Sequence, residues 1–237
     1  ANVLGTPNLL RAAEAARVGA FVHTSSVSAV SHLVTQVLDE TVPQRGGESW
    51  INYERSKYLG EQAVRGSGLP WIVFNPAHVL GPGDRHSWAR LIRLIDQEKL
   101  PGIPPGSGDF ADVREIARAQ VRAWQRGRFG QAYVMGGQRE SYVDFVHRVG
   151  TALGRRTPRG ATPAWALMTV ARLADAWSRV TGREPNVTPE AATLTSQVRR
   201  VDSAKARREL DYRETPLDGL LADTLAWMRS DGLIGRR

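Results

Sequence analysis

Residues 20–26 read AFVHTSS: β-favouring side chains that end in three consecutive hydroxyls. Such a stretch reads as a buried strand with a polar C-terminal tip. Just before it, residues 1–18 carry Leu9, Leu10, Ala13 and Ala16 at helical spacing, with Gly19 as a stop. After it, a loop through Pro43, Gly46 and Gly47 leads to a second helical stretch over residues 53–65, closed by Gly66 and Gly68. Then comes WIVFN at residues 71–75, entered by Pro70 and stopped by Pro76. Helix, strand, helix, strand in this order implies parallel strands joined by right-handed crossovers. In open sheets of this kind, ligands sit at the C-terminal ends of the strands. The hydroxyl tip at Thr24, Ser25 and Ser26 is therefore the first place to look for chemistry.

Beyond Gly81-Pro82-Gly83 the pattern changes. Residues 87–98 and 112–125 read as helices, separated by PGIPPGSG at 101–108, expected to run over the surface. Residues 132–135 form a short strand before Gly136-Gly137. A helix capped by Ser141 runs to Leu153, with Gly154 as its stop, and further helices start at Pro163, Ser203 and Thr215. The expected architecture is a parallel-sheet domain over residues 1–78 and 108–137. A smaller, mainly helical substrate domain takes 79–107 and 138–237.

Composition narrows the function. Thirty-two basic against twenty-four acidic residues give a net charge of +8, while 41% of the 237 residues are hydrophobic, enough for a core. Lysine occurs only at Lys57, Lys99 and Lys205. The remaining positive charge is arginine, dispersed among acidic neighbours, so no phosphate-tracking stripe forms and no specific nucleic-acid partner is expected. Cysteine is absent and the five histidines form no close pair, so no metal site is expected. The longest apolar run, residues 164–180, contains Arg172 and Asp175 and does not read as a membrane span. A cytoplasmic location is the default expectation.

Tyr53 and Lys57 stand four apart and project from one helical face. A free phenol, with a pKa of about 10, is a poor acid or base at neutral pH. A neighbouring ammonium favours the phenolate and suits the pair to general acid/base work. With five tyrosines and three lysines, about 0.06 such spacings arise by chance. A solvated helix face accounts for the spacing equally well. Ser26 on the preceding strand and the Pro76 loop after the next one tilt the reading toward chemistry.

At this point the chain resembles a known family, the extended short-chain dehydrogenases/reductases, or NAD-dependent epimerase/dehydratase family. NVLGT with NLL at residues 2–10 is similar to the family's helix start, TSS at 24–26 to its strand-end serine motif, and YERSK at 53–57 to its YxxSK. NPAHVLGP at 75–82 resembles its (R/N)PxxVxGP segment. DVREIA at 112–117 is similar to the DVRDVA of a dihydroflavonol-reductase-like branch, with Glu115 in place of Asp. DSAKA at 202–206 with Glu209-Leu210 resembles DxSKAxxELG, Asp211 standing where Gly is common.

The resemblance implies an α/β fold, the C-terminal portion of a doubly wound Rossmann-type parallel sheet plus the helical substrate domain. It makes Tyr53 the acid/base on a substrate oxygen that Ser26 also hydrogen-bonds. It has Lys57 holding the nicotinamide ribose of NAD or NADP, and backbone groups at Pro76 and Val79 holding the carboxamide. His78 is expected either to line the substrate pocket or to be a plain loop residue, and Asn2 matches a family position near the site. The substrate is then a small carbonyl, alcohol or sugar. No glycine-rich pyrophosphate turn stands in the sequence. Taking βαβ units of roughly 30 residues, on the order of 90 residues of the family's first half are expected to be absent. The chain alone is accordingly expected to bind dinucleotide poorly and to be inactive. The strand at Phe21, lacking an inner neighbour, is expected to favour association, up to a homodimer.

Within the family, Ser26-Val27-Ser28 stands where the 4,6-dehydratases carry Thr-Asp-Glu, which argues against dehydration. Ala29-Val30-Ser31 replaces the Val-Tyr-Gly usual in sugar-nucleotide epimerases. TGREP at 181–185 resembles a hopanoid-associated epimerase-like group. The leading expectation is an NAD(P)-dependent carbonyl/alcohol oxidoreductase, with sugar epimerisation second and a non-catalytic nucleotide-binding sensor or scaffold third.

Overall fold

A computed structural model describes residues 2–34, 37–182, 185 and 187–235. The TGREP segment falls partly outside these, at Arg183 and Glu184. In chain order the elements are α1 (Asn2–Ala15), β1 (Phe21–Thr24), α2 (Asn52–Arg65), β2 (Trp71–Pro76), β3 (His78–Leu80), α3 (Trp88–Asp96), β4 (Ser107–Asp112), α4 (Val113–Gln125), β5 (Gln131–Met135), β6 (Gln138–Ser141), α5 (Tyr142–Leu153), α6 (Ala164–Thr181), α7 (Pro189–Thr195), α8 (Ala204–Leu210) and α9 (Leu217–Ser230). Two compact units result. The first comprises Ala1–Val79, Asp109–Gln138 and Arg199–Thr215, and the second Leu80–Gly108, Arg139–Val198 and Pro216–Arg237.

The first unit is built on a parallel sheet in the order β1-β2-β5. Phe21 to Thr24 pair with Trp71 to Phe74, and Ile72 to Pro76 with Gln131 to Met135. Alternation along β2 separates two cores. Ile72 and Phe74 face a cluster with Ile116, Ala119 and Ala123 of α4, Tyr133 and Met135 of β5, and Leu210 of α8, while Val73 packs with Leu10 of α1 and Val64 of α2. The helix ends follow capping chemistry: the Asp112 carboxylate accepts the Arg114 N–H at 2.8 Å, and the Ser141 hydroxyl accepts the Asp144 N–H at 3.0 Å. Gly154 closes α5 with φ 66°, the left-handed conformation glycine adopts without strain.

The structure corrects several sequence expectations. In α1, Leu10 is buried but Leu9 is 63% exposed, because the helix docks on α2 through its Thr6–Leu10 side. Gly60 allows this approach: a Cβ there would lie 3.3 Å from the Asn2 carbonyl oxygen. Strand β1, expected to be buried, alternates half-buried and exposed residues, since its only strand partner among the described residues is β2. The loop at 101–108 does not skim the surface. Ile103 is fully buried, and within the second unit its carbonyl accepts the Thr162 N–H at 2.7 Å. Gly106 and Ser107 bond to the Thr195 and Gln197 carbonyls, and β4 follows with every residue buried. A Ser-Gly-Asp run has poor β propensity, so tertiary packing makes this strand.

Residues 199–215 belong with the first unit, although the sequence places them in the second domain. Lys205 caps β5 by donating to the Gln131 side chain and the Ala132 carbonyl at 2.9 and 3.0 Å. The Ser203 hydroxyl accepts the Gly136 N–H at 2.6 Å, and Tyr212 donates to the Gly136 carbonyl.

Beside that anchor, a Cβ on Gly137 would fall 1.9 Å from the Phe110 carbonyl oxygen and 2.9 Å from the Ala111 Cα. Backbone cannot yield as a side chain does, so Gly137→Ala is expected to lower the unfolding free energy by more than about 2 kcal/mol in urea titration. A loss below about 0.5 kcal/mol would mean that the two backbones are not in contact.

Candidate active site

The parallel ladder runs past the end of β1, where the Ser25 N–H donates to the Phe74 carbonyl at 2.7 Å. Ser26 is extended, at φ −165°, and its hydroxyl oxygen accepts the Ser28 N–H at 3.1 Å, capping a single 3-10 turn at Val27–Ala29. This fixes the oxygen and leaves the hydroxyl proton available to donate. Ser25 and Ser26 are both buried, and among the described residues the Ser25 hydroxyl has no hydrogen-bond partner.

Tyr53 lies in the first turn of α2, 45% exposed, and Lys57 follows one turn later, half-buried. Burial lowers the Lys57 pKa from its ordinary value, and the carboxylate of Glu61, a further turn along, opposes that shift. On β1, the His23 ring is also lowered, by burial first and then by the Lys57 charge, with Glu61 again opposing. The ammonium of Lys57 and the carboxylate of Glu61 are thus both felt at the strand that leads to Ser26.

Glu61 is fully buried, and a lone charge there would be costly. It is compensated by Arg65 at 2.7 Å, Gln44 at 2.8 Å and the Asn75 amide at 2.7 Å. Asn75 donates its second proton to the Ser26 carbonyl at 3.1 Å. One amide therefore ties the hydroxyl-bearing strand tip to the helix that carries Tyr53 and Lys57. Asn75 stands in the NPAHVLGP motif without a role legible there, and Glu61 belongs to no motif. The available signal was the spacing Lys57 to Glu61, again one helical turn.

The start of α2 is pinned by a second buried carboxylate. Glu54 accepts from the Ser31 hydroxyl at 2.7 Å, the His32 N–H at 2.7 Å and Arg199 at 2.8 Å, and its oxygen lies 2.8 Å from His32 Nδ1. Asn2 donates to the Ser56 hydroxyl at 3.2 Å, joining α1 to the same helix.

Pro76 ends β2 opposite Met135. Val79, on β3, packs its side chain against the Ile72–Phe74 core, so only its backbone remains to meet a ligand. The His78 ring lies 5.7 Å from that of Phe110, tilted 37° to it. Burial, and then the Arg199 charge, push its pKa down to about 4, so the ring is neutral at pH 7. Arg199 thereby links His78 to Glu54 and the head of α2. A cavity of about 400 Å3 in this unit, with Glu40, Tyr58, Gln62 and Asn75 in its wall, contains none of Ser26, Tyr53 and Lys57. Among the described residues no cluster could hold a metal ion, and no helix is long and apolar enough to cross a membrane.

Burial alone would raise the Glu54 pKa; hydrogen bonds from His32, Ser31 and Arg199 outweigh it and hold the carboxyl at about 2, below its ordinary 4.5. A depressed carboxyl stabilises the fold above its unfolded pKa and loses that contribution as pH falls toward the folded value. Stability is therefore expected to drop by on the order of 3 kcal/mol between about pH 4.5 and 2 through this group. In Glu54→Gln that acid-dependent component should be missing from denaturation curves taken across the range. Equal acid slopes in the two proteins would contradict the assignment.

With this geometry in view, the likeness to known proteins is informative. Residues 1–136 match the NAD dependent epimerase/dehydratase family. Sterol demethylase protein B of Methylococcus capsulatus is 31% identical over 98% of this chain and 73% of its own length. A Synechocystis protein with a provisional dihydroflavonol 4-reductase name is 29% identical over 98% of this chain and 71% of its own. The crystal structure of gox2253 superposes with a TM-score of 0.80 at 29% identity, covering 99% of this chain and 73% of that one. The match over more than half the residues, with relatives aligned along nearly all of them, makes this chain a member of the NAD dependent epimerase/dehydratase family.

Proposed function

We propose that the chain carries the acid/base half of an NAD(P)-dependent carbonyl/alcohol oxidoreductase, with Tyr53 moving the proton. The observation that supports this most is the Asn75 amide, which bonds at once to the Ser26 carbonyl and to Glu61 on the helix of Tyr53 and Lys57.

The residues suit the nicotinamide end of the cofactor. The Ser25 hydroxyl is buried without a partner among the described residues, just past the end of a parallel strand, and the Lys57 ammonium is half-buried on α2. Lys57 would hold the ribose hydroxyls, and the backbone at Pro76 and Val79 the carboxamide. When bound, the nicotinamide exchanges hydride with the substrate carbon. The chain's own residues handle the oxygen. Tyr53 gives its phenolic proton to that oxygen in reduction and takes it back in oxidation. Ser26 donates its free hydroxyl proton to the same oxygen, stabilising charge as it develops. Lys57 faces the negative charge left on the phenol oxygen. His78, neutral at pH 7, contributes a hydrogen-bonding ring to substrate contact rather than a charge.

Reduction is favoured over epimerisation by Val30-Ser31 in place of the epimerase Tyr-Gly, and by relatives named for reductase and sterol chemistry. The test is cofactor turnover at saturating NAD(H) or NADP(H) across ketones and alcohols, for wild type and Tyr53→Phe, each in a protein that also supplies a pyrophosphate-binding half. Net turnover that falls by about 10²-fold or more in Tyr53→Phe, with an unchanged circular dichroism spectrum, is expected. Turnover equal in the two proteins would overturn the role of Tyr53. Interconversion of sugar nucleotides without net cofactor change would replace the reductase with an epimerase. Tight cofactor binding with neither reaction would favour a sensor.

A further inference from the structure

The apolar run that reads as too charged for a membrane span folds as α6, an 18-residue helix of the second unit. One side is anchored, since Ala171 is fully buried. The other is bare: Trp165 is 75% exposed, Val170 56%, Leu173 67% and Trp177 69%. At about 100° per residue these four fall within roughly 140° of arc, a mainly apolar stripe with Thr169 as its one exposed hydroxyl among the described residues. An exposed leucine alone needs no explanation, but two tryptophans and two aliphatic side chains on one helix face form a patch.

Charge restricts what can cover it. Between residues 155 and 182 stand five arginines, Arg155, Arg156, Arg159, Arg172 and Arg179, against one acid, Asp175. Asp175 is already paired with Arg179 at 2.8 Å. Arg172, which borders the stripe beside Trp165, has no acidic partner among the described residues. A second copy of the chain pressed face to face would set these arginine-bordered surfaces against each other. A negatively charged lipid surface satisfies both features. Apolar side chains enter the acyl boundary, arginines meet phosphates, and tryptophan suits the interface because its ring is apolar and its N–H polar.

We propose that α6 is a peripheral membrane-binding helix that lies in the headgroup layer of anionic bilayers, without crossing them. Trp165, Val170, Leu173 and Trp177 form its buried face and Arg172 its phosphate contact. This reading is independent of the chemistry at Tyr53, because it concerns only the second unit's surface.

The test is flotation of the whole 237-residue chain with phosphatidylcholine vesicles, with and without about one part in three of phosphatidylglycerol. Wild type should float with the anionic vesicles and at least about tenfold less with the neutral ones. The double variant W165E/W177E should partition at least about tenfold more weakly with unchanged circular dichroism. Brominated acyl chains should quench tryptophan emission of the wild type, a readout that needs no substitution. Three results would overturn the proposal. They are absence of flotation on anionic vesicles, absence of bromine quenching, and a concentration-dependent dimer in sedimentation that Leu173→Glu abolishes while vesicle binding persists unchanged.

Discussion

The side-chain amide of Asn75 has two protons, and the fold commits both: one to the backbone carbonyl of Ser26, the other to the carboxylate of Glu61. Everything else at the candidate site follows from that commitment. Ser26 stands two residues past β1, which has β2 as its one strand partner among the described residues, and its direction would otherwise be loosely set. Glu61 is a buried charge, and each partner it loses would leave it less well compensated. Joining the two makes the position of the strand tip part of the price of burying the carboxylate.

The helix between them is held at both ends by the same device. Glu54 gathers Ser31, His32 and Arg199 at its start, and Glu61 gathers Gln44, Arg65 and Asn75 two turns later. Both carboxylates are buried, while Tyr53 and Lys57, on the adjoining flank of the helix, stay partly open. A reacting group needs this combination of a fixed backbone and an accessible side chain. Neutral His78, with the tilted Phe110 ring beside it and Arg199 in its field, extends the same order toward β3.

The alternation of helix and strand, and the caps at Asp112, Ser141 and Gly154, were legible because they rest on local chemistry. So was the placement of Tyr53 and Lys57 one turn apart on a single helix. Strand β4 was not legible: Ser107, Gly108 and Asp109 carry no strand signal and become a strand only through long-range packing. The return of residues 199–215 to the first unit was hidden for a similar reason, because Lys205, Ser203 and Tyr212 find their partners on β5 and at Gly136, far away in sequence. Glu61 and Asn75 were visible as letters but not as a pair, since nothing in a linear reading joins a helix carboxylate to an amide fourteen residues on.

If the amide acts by fixing the strand tip, its removal must work through Ser26. The most direct measurement is a double-mutant cycle on kcat/KM, in a protein that also supplies the pyrophosphate-binding half, with Asn75→Ala, Ser26→Ala and the combined variant. Asn75→Ala should cost about tenfold in the protein with Ser26 intact and almost nothing once Ser26 is alanine. Losses that multiply in full would contradict the account, showing that Asn75 and Ser26 act independently.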